Sequence, residues 1–281
     1  MKDREGRTAI LGCQMLHSVV LAELNPLRPV IAVPLFRFSV GGYEIVFSNH
    51  MLMVTVAAVI LLITMTLGAR KKRLIPKGLQ NLIESVCVFL RDEVARPILG
   101  SNTDQFIFFV WTIFFFILTL NLLGMVPTES AYYLVTGREN HFGGAAATNI
   151  WITGALAMVT FILTHAAGIK RYGLLKYLSM LAPKVPWPIL PLIYVLEIVS
   201  ALVRPFALAI RLFANILAGH IILATFIGLI LIFKSWGVAV GSIVAVIAMS
   251  FLELLVAFIQ AYIFTLLSTL FISLALESEH N

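Results

Sequence analysis

The chain has 281 residues, 60% hydrophobic and only 12% charged, with a mean hydropathy of +0.99, whereas an average soluble domain is about 25% charged. In water that much apolar surface has no interior to fill, so a soluble fold is excluded and the chain reads as an all-α membrane protein. The net charge of +6 gathers in short loops, a topology signal and not a nucleic-acid footprint, and two distant cysteines, Cys13 and Cys87, give neither a disulfide framework nor a metal spacing.

In chain order, residues 1–46 read as an outer-side tail that partly packs on the first span. Within it, 9–24 is moderately apolar, but Gln14 and His17 interrupt any signal-peptide pattern. Five apolar runs are each long enough to cross a bilayer: 47–69, 105–126, 149–169, 190–233 and 238–276. Residues 74–99 differ in kind. Pro76 can open a helix, and Ile75, Leu79, Leu82, Ile83, Val86, Leu90 and Val94 recur at helical spacing between Lys77, Gln80, Glu84, Arg91 and Asp92. That pattern predicts an amphipathic helix lying in the interface, with Glu84 and Asp92 on its solvated face. The chain thus divides into the tail 1–46; 47–126 with the first span, interfacial helix and second span; 127–189 with an outer loop, the third span and an inner loop; and 190–281 with two long helices.

Lysine and arginine set the orientation. The loop after the first span holds Arg70, Lys71, Lys72, Arg73 and Lys77, and the loop after the third holds Lys170, Arg171, Lys176 and Lys184. These loops are expected on the cytoplasmic or matrix side, with the N-terminus outside and the C-terminus inside. Lys2, Arg4, Arg7, Arg28 and Arg37 in the tail depart from the rule. The last two runs are each about 60 Å long as helices, against an apolar bilayer core of about 30 Å. No polar turn breaks either run, and Pro205 kinks a helix without ending it, so two very long tilted helices joined by a tight turn at 234–237 are expected.

Ionisable groups inside these runs are costly, about 2.5–3.5 kcal/mol each at mid-bilayer on insertion scales. The fourth run carries Glu197, Arg204, Arg211, Asn215 and His220; the fifth carries Glu253 and Gln260. Glu197, Arg204 and Arg211 step by seven and share a face, Asn215 joins them, and His220 points the opposite way. Folding the two runs antiparallel about the turn brings Arg211, Asn215 and Gln260 to one level and His220 and Glu253 to another, roughly 10–13 Å further out. Arg204 can also snorkel to the inner interface, and Glu197 can pair with it for purely structural reasons. Glu44, His50 and Glu129 are read as solvated loop positions, and His165 as a packed interface histidine.

The segments LEIVSALVRPFALAIRLFANILAGH (196–220) and LELLVAFIQAYIFTLL (252–267) resemble the signature helices of subunit a of F-type ATP synthases, and LNLLGMVP (120–127) fits the same family. The resemblance is strong over 190–270, weaker over 45–180, and absent from the first 40 residues and the loop 128–148. It implies a non-catalytic stator of the membrane sector of a rotary ATP synthase, with ring-forming c subunits, peripheral-stalk b subunits and membrane lipid as partners and no nucleic acid. It implies no cofactor and no metal, and a place in a bacterial inner membrane, with the mitochondrial inner membrane as the alternative. It puts the essential arginine on Arg211, the asparagine on Asn215, the outer channel-lining pair on His220 and Glu253, the arginine's polar partner on Gln260 and an inner-side acid on Glu197. The rival reading is an ion-coupled secondary transporter. That class is expected to show internal repeats and broken midplane helices, and neither is visible.

Overall fold

The computed structural model describes residues 32–40, 43–70, 78–126, 146–180 and 188–276. The 9–24 run, Pro76 with the basic stretch 71–77, Glu129 and Lys184 lie outside them. The architecture is all-α apart from one hairpin. Strand β1 (Pro34–Val40) pairs antiparallel with β2 (Tyr43–Ser48), in a segment read above as tail.

Helix α1 (Asn49–Arg70) follows β2 directly. Ser48 precedes it, and its hydroxyl accepts from the Met51 N–H at 3.4 Å, a weak N-cap. The expected interfacial helix is present in three parts: α2 (Leu79–Phe89), a π-helical turn (Leu90–Ala95) and α3 (Arg96–Leu99). In the wider turn Leu90, Val94 and Ala95 are buried, while Asp92 holds Arg91 at 3.0 Å and Arg96 at 2.7 Å. Asp92 is therefore an ion-pair centre, not merely a solvated acid.

The remaining helices are α4 (Thr103–Met125), α5 (Ile150–Tyr172), α6 (Leu174–Met180), α7 (Leu190–Phe233) and α8 (Trp236–Leu276). Five segments among the described residues are long and apolar enough to cross a membrane, so the chain is a multi-pass membrane protein. The two long runs are unbroken helices of 44 and 41 residues, and α7 continues through Pro205. Only two residues separate them. Lys234 takes a positive φ of 45° and its N–H bonds the Ile230 carbonyl at 3.1 Å. A left-handed residue thus closes α7, where glycine is usual.

The helices divide into two compact units, neither continuous in sequence. The first takes described residues of Met1–Ala57, Leu120–Asn149 and Phe213–Ala257; the second takes those of Ala58–Thr119, Ile150–Leu212 and Phe258–Asn281. In the first, Asn49 clamps Val33 twice: its N–H bonds the Val33 carbonyl at 3.0 Å and its Oδ1 accepts the Val33 N–H at 3.0 Å. The neighbouring His50 is fully buried, with Nδ1 3.2 Å from Asn149 Nδ2. It is not the solvated loop residue expected, since it is buried beside Asn149.

In the second unit small residues let helices approach closely. The buried face of α5 reads Thr153, Ala157, Thr160, Thr164 and Gly168. At Gly168 any side chain would collide with the Tyr177 ring, and the Tyr177 hydroxyl lies 2.7 Å from His165 Nδ1, so His165 is a packed residue. On α8 the buried face holds Ala261, Phe264, Thr265, Ser268, Thr269, Ile272 and Ser273. Thr265 and Thr269 return their hydroxyl hydrogens to carbonyls one turn back at 2.8 Å. Ser273 donates to the Ile98 carbonyl at 2.7 Å, and Tyr172 donates to the Leu276 carbonyl.

Candidate functional site

The candidate site is carried by α7 and α8. On α7 of the second unit, Leu208, Ala209 and Leu212 are buried, whereas Val203, Phe206, Ile210 and Arg211 are exposed. A cation therefore stands in an otherwise apolar outward stripe. Arg211 forms no hydrogen bond or ion pair with a described residue. A guanidinium is a cation with five donors, so in a membrane this position needs water or a partner from outside the described residues.

Gln260, on the buried face of α8, is 4% exposed and its Nε2 has no acceptor. Helical levels placed it beside Arg211, but the structure draws no hydrogen bond between them. Glu197 lies on α7, with its side chain outside the described residues.

The other half of the constellation belongs to the first unit. Glu253 lines a partly open cavity of about 100 Å³ together with Asn215, Asn121, Gly219 and apolar neighbours. Since one water occupies about 30 Å³ in the liquid, the cavity has room for a few waters. Glu253 can approach α7 here because residue 219 has no side chain: a Cβ there would run into the Glu253 carboxyl. Asn121 on α4 is 2% exposed; its Nδ2 donates to the Ala257 carbonyl at 3.3 Å and its Oδ1 has no donor. His220 follows Gly219, and its buried Nε2 also has no partner.

The antiparallel register expected to bring His220 level with Glu253 instead sets Glu253 against Gly219, the residue before His220, and His220 Nε2 does not bond the carboxyl. The structure adds two features. Asn215, grouped above with Arg211 and Gln260, shares the cavity with Glu253. Asn121 was not singled out at all, although an amide inside a span carries the same desolvation cost that marked Asn215. Among the described residues, no group of three or more His, Cys, Asp or Glu side chains could hold a metal.

Comparison with known proteins follows the same residues. The profile of the family described as ATP synthase A chain matches residues 51–273. The chain is 38% identical over 272 residues to an ATP synthase subunit a of Chloroherpeton thalassium, covering 95% of this chain and 77% of the relative. It is 37% identical to an ATP synthase subunit a 2 of Chlorobaculum tepidum, with 94% and 73% covered. Against an ATP synthase subunit a 2 of Prosthecochloris aestuarii it is 36% identical, with 98% and 82% covered.

Proposed function

Because the chain belongs to the ATP synthase subunit a family and is a component of that membrane sector, we propose that it is the non-catalytic stator that couples proton flow to rotation of a ring of c subunits. The observation that carries this reading is Arg211, a permanent charge on an exposed apolar stripe with no partner of its own. The missing partner is a carboxylate on each passing ring subunit.

On this reading a proton enters from outside through the cavity at Glu253, with His220 and Asn215 beside the path, and neutralises a ring carboxylate. The neutral carboxyl can then face lipid. After nearly a full turn it meets Arg211, which favours its charged form. The proton leaves through an inner half-channel near Glu197, and the fixed cation blocks direct passage between the two aqueous paths. Gln260, whose amide nitrogen lacks an acceptor, offers Arg211 or the carboxylate an alternative hydrogen bond.

Magnitudes limit the contact. Opposite charges about 4 Å apart attract by about 4 kcal/mol at an effective dielectric of 20, and a membrane potential supplies about 2.3 kcal/mol per charge per 100 mV. A dry pair would hold the rotor against such a drive, so the contact is hydrated. Helices as long as α7 and α8 fit a bilayer only when strongly tilted, and tilted helices can follow a curved ring wall. The b subunits of the peripheral stalk hold the stator in place. The setting is a bacterial inner membrane, with the N-terminus outside and the C-terminus in the cytoplasm.

Affinity purification of the tagged chain from membranes tests the assignment. A ring of small proteolipids should co-purify, and vesicles holding the complex should acidify on ATP addition. Recovery of the chain without a proteolipid, in a state that still moves protons, would overturn it.

A further inference from the structure

The cavity at Glu253 has two features that water transport alone does not need. Among its lining residues there is no Lys, Arg or His, so nothing on its walls neutralises the carboxylate. Apart from Glu253, Asn121 and Asn215 its walls are apolar, from Met125 on α4, Ile222 and Leu223 on α7, and Met249 and Leu252 on α8. The orientation of Asn121 is also fixed. Its Nδ2 must face the Ala257 carbonyl it donates to, which leaves Oδ1 as a buried acceptor with no donor from the protein. A buried acceptor without a donor is uncommon and calls for a ligand or solvent that supplies one.

We propose that this cavity is a binding site for small primary alkylammonium ions, the N–H donors meeting Asn121 Oδ1 and the Glu253 carboxylate and the alkyl chain lying against the methionine and leucine walls. The head group supplies the positive charge that the lining lacks, together with donors beyond those of the Asn215 amide. The tail removes apolar surface from water, so each added methylene tightens binding about fourfold until the cavity is full. The site needs only the residues named, although its position rests on the same cavity that serves proton access in the proposed function.

The test is a protection experiment on the intact complex, purified with this chain in a background lacking Cys13 and Cys87. Met249→Cys places a thiol on the cavity wall, and its rate of reaction with a small neutral thiol reagent is measured. n-Butylammonium should slow labelling at least fivefold at saturation. Ethylammonium should need about sixteenfold higher concentration, from two fewer methylenes. Tetramethylammonium carries the same charge but no N–H, and should protect poorly. Asn121→Leu should erase the preference for butylammonium over tetramethylammonium, and Asn121→Asp, which keeps the acceptor if the leucine variant fails to assemble, should retain or strengthen it. Equal protection by the two cations, no protection by either, or an unchanged preference in Asn121→Leu would overturn the proposal. The readout involves no proton flux, so the site can fail while the proton-access role of Glu253 stands, and that role can fail in flux measurements while the site stands.

Discussion

Arg211 combines a planar guanidinium with a position no described side chain compensates, and its replacement should therefore be all-or-none. Arg211→Ala should abolish ATP-driven proton pumping and leave the membrane sector passively leaky. Arg211→Lys should also fail to couple, because a compact ammonium replaces a planar fork. Coupled synthesis in vesicles carrying either variant would remove the assignment. His220 and Glu253 make a second test, since Glu253 packs against Gly219, the residue before His220. Each alanine variant should lower proton flux. The exchange of His220→Glu with Glu253→His should keep more flux than the worse of the corresponding single changes, and simple additive loss would mean the two do not share a path. The sequence made these residues legible because a charge amid apolar neighbours is costly wherever the chain folds. His50 was not legible: it stands at the edge of its span, where a histidine looks the same in sequence whether loop or protein covers it. Asn121 falls between the cases: its amide carries the same desolvation cost as that of Asn215, but the run 105–126 holds no charged residue to draw notice to it.

At the scale of elements, hydropathy located the spans within a few residues, because each run ends where charges or turn residues begin. The runs 190–233 and 238–276 became α7 (Leu190–Phe233) and α8 (Trp236–Leu276). The β1–β2 hairpin was readable but unread. Two strand-like runs flank Gly41 and Gly42, a known hairpin signal that a search for 20-residue apolar windows does not register. The π turn at Leu90–Ala95 had no such signal, since apolar spacing tolerates one extra residue per turn. The turn between the long helices gives an element-level prediction. Lys234 has φ 45° and donates its N–H to Ile230. Lys234→Gly should be tolerated or stabilise by up to about 1 kcal/mol, whereas Lys234→Pro loses both the dihedral and the donor and should cost about 3 kcal/mol or more. The yield of membrane-inserted, protease-resistant chain reports both, and equal yields for the two variants would mean that the turn does not hold the helices in register.

At the scale of the whole molecule, the proposed half-channels, two aqueous paths that do not meet, predict sidedness. Single cysteines at 197, 211, 220, 253 and 260, in the background lacking Cys13 and Cys87, should react with small polar thiol reagents in a defined pattern. Positions 220 and 253 should react first from the outer side and position 197 from the inner side. Positions 211 and 260 should be slow from both. A smooth gradient of reactivity from one side would mean a single through-pore, and the half-channel mechanism would have to be abandoned.

The two-residue connection between α7 and α8 also bears on biogenesis. A turn so short leaves no loop to be threaded separately, so the two helices must enter the bilayer together as one hairpin. Arg204, Arg211 and Glu253, the charges that stand away from the ends of the two runs, travel with it at about 2.5–3.5 kcal/mol each in the core. Leucine, isoleucine, phenylalanine and valine return only about 0.3–0.6 kcal/mol apiece, so roughly twenty are needed to carry three charges in. Helix α8 alone supplies about that many, and α7 adds more. The exceptional length of these helices is thus also what lets a cell's insertion machinery deliver their charges into lipid.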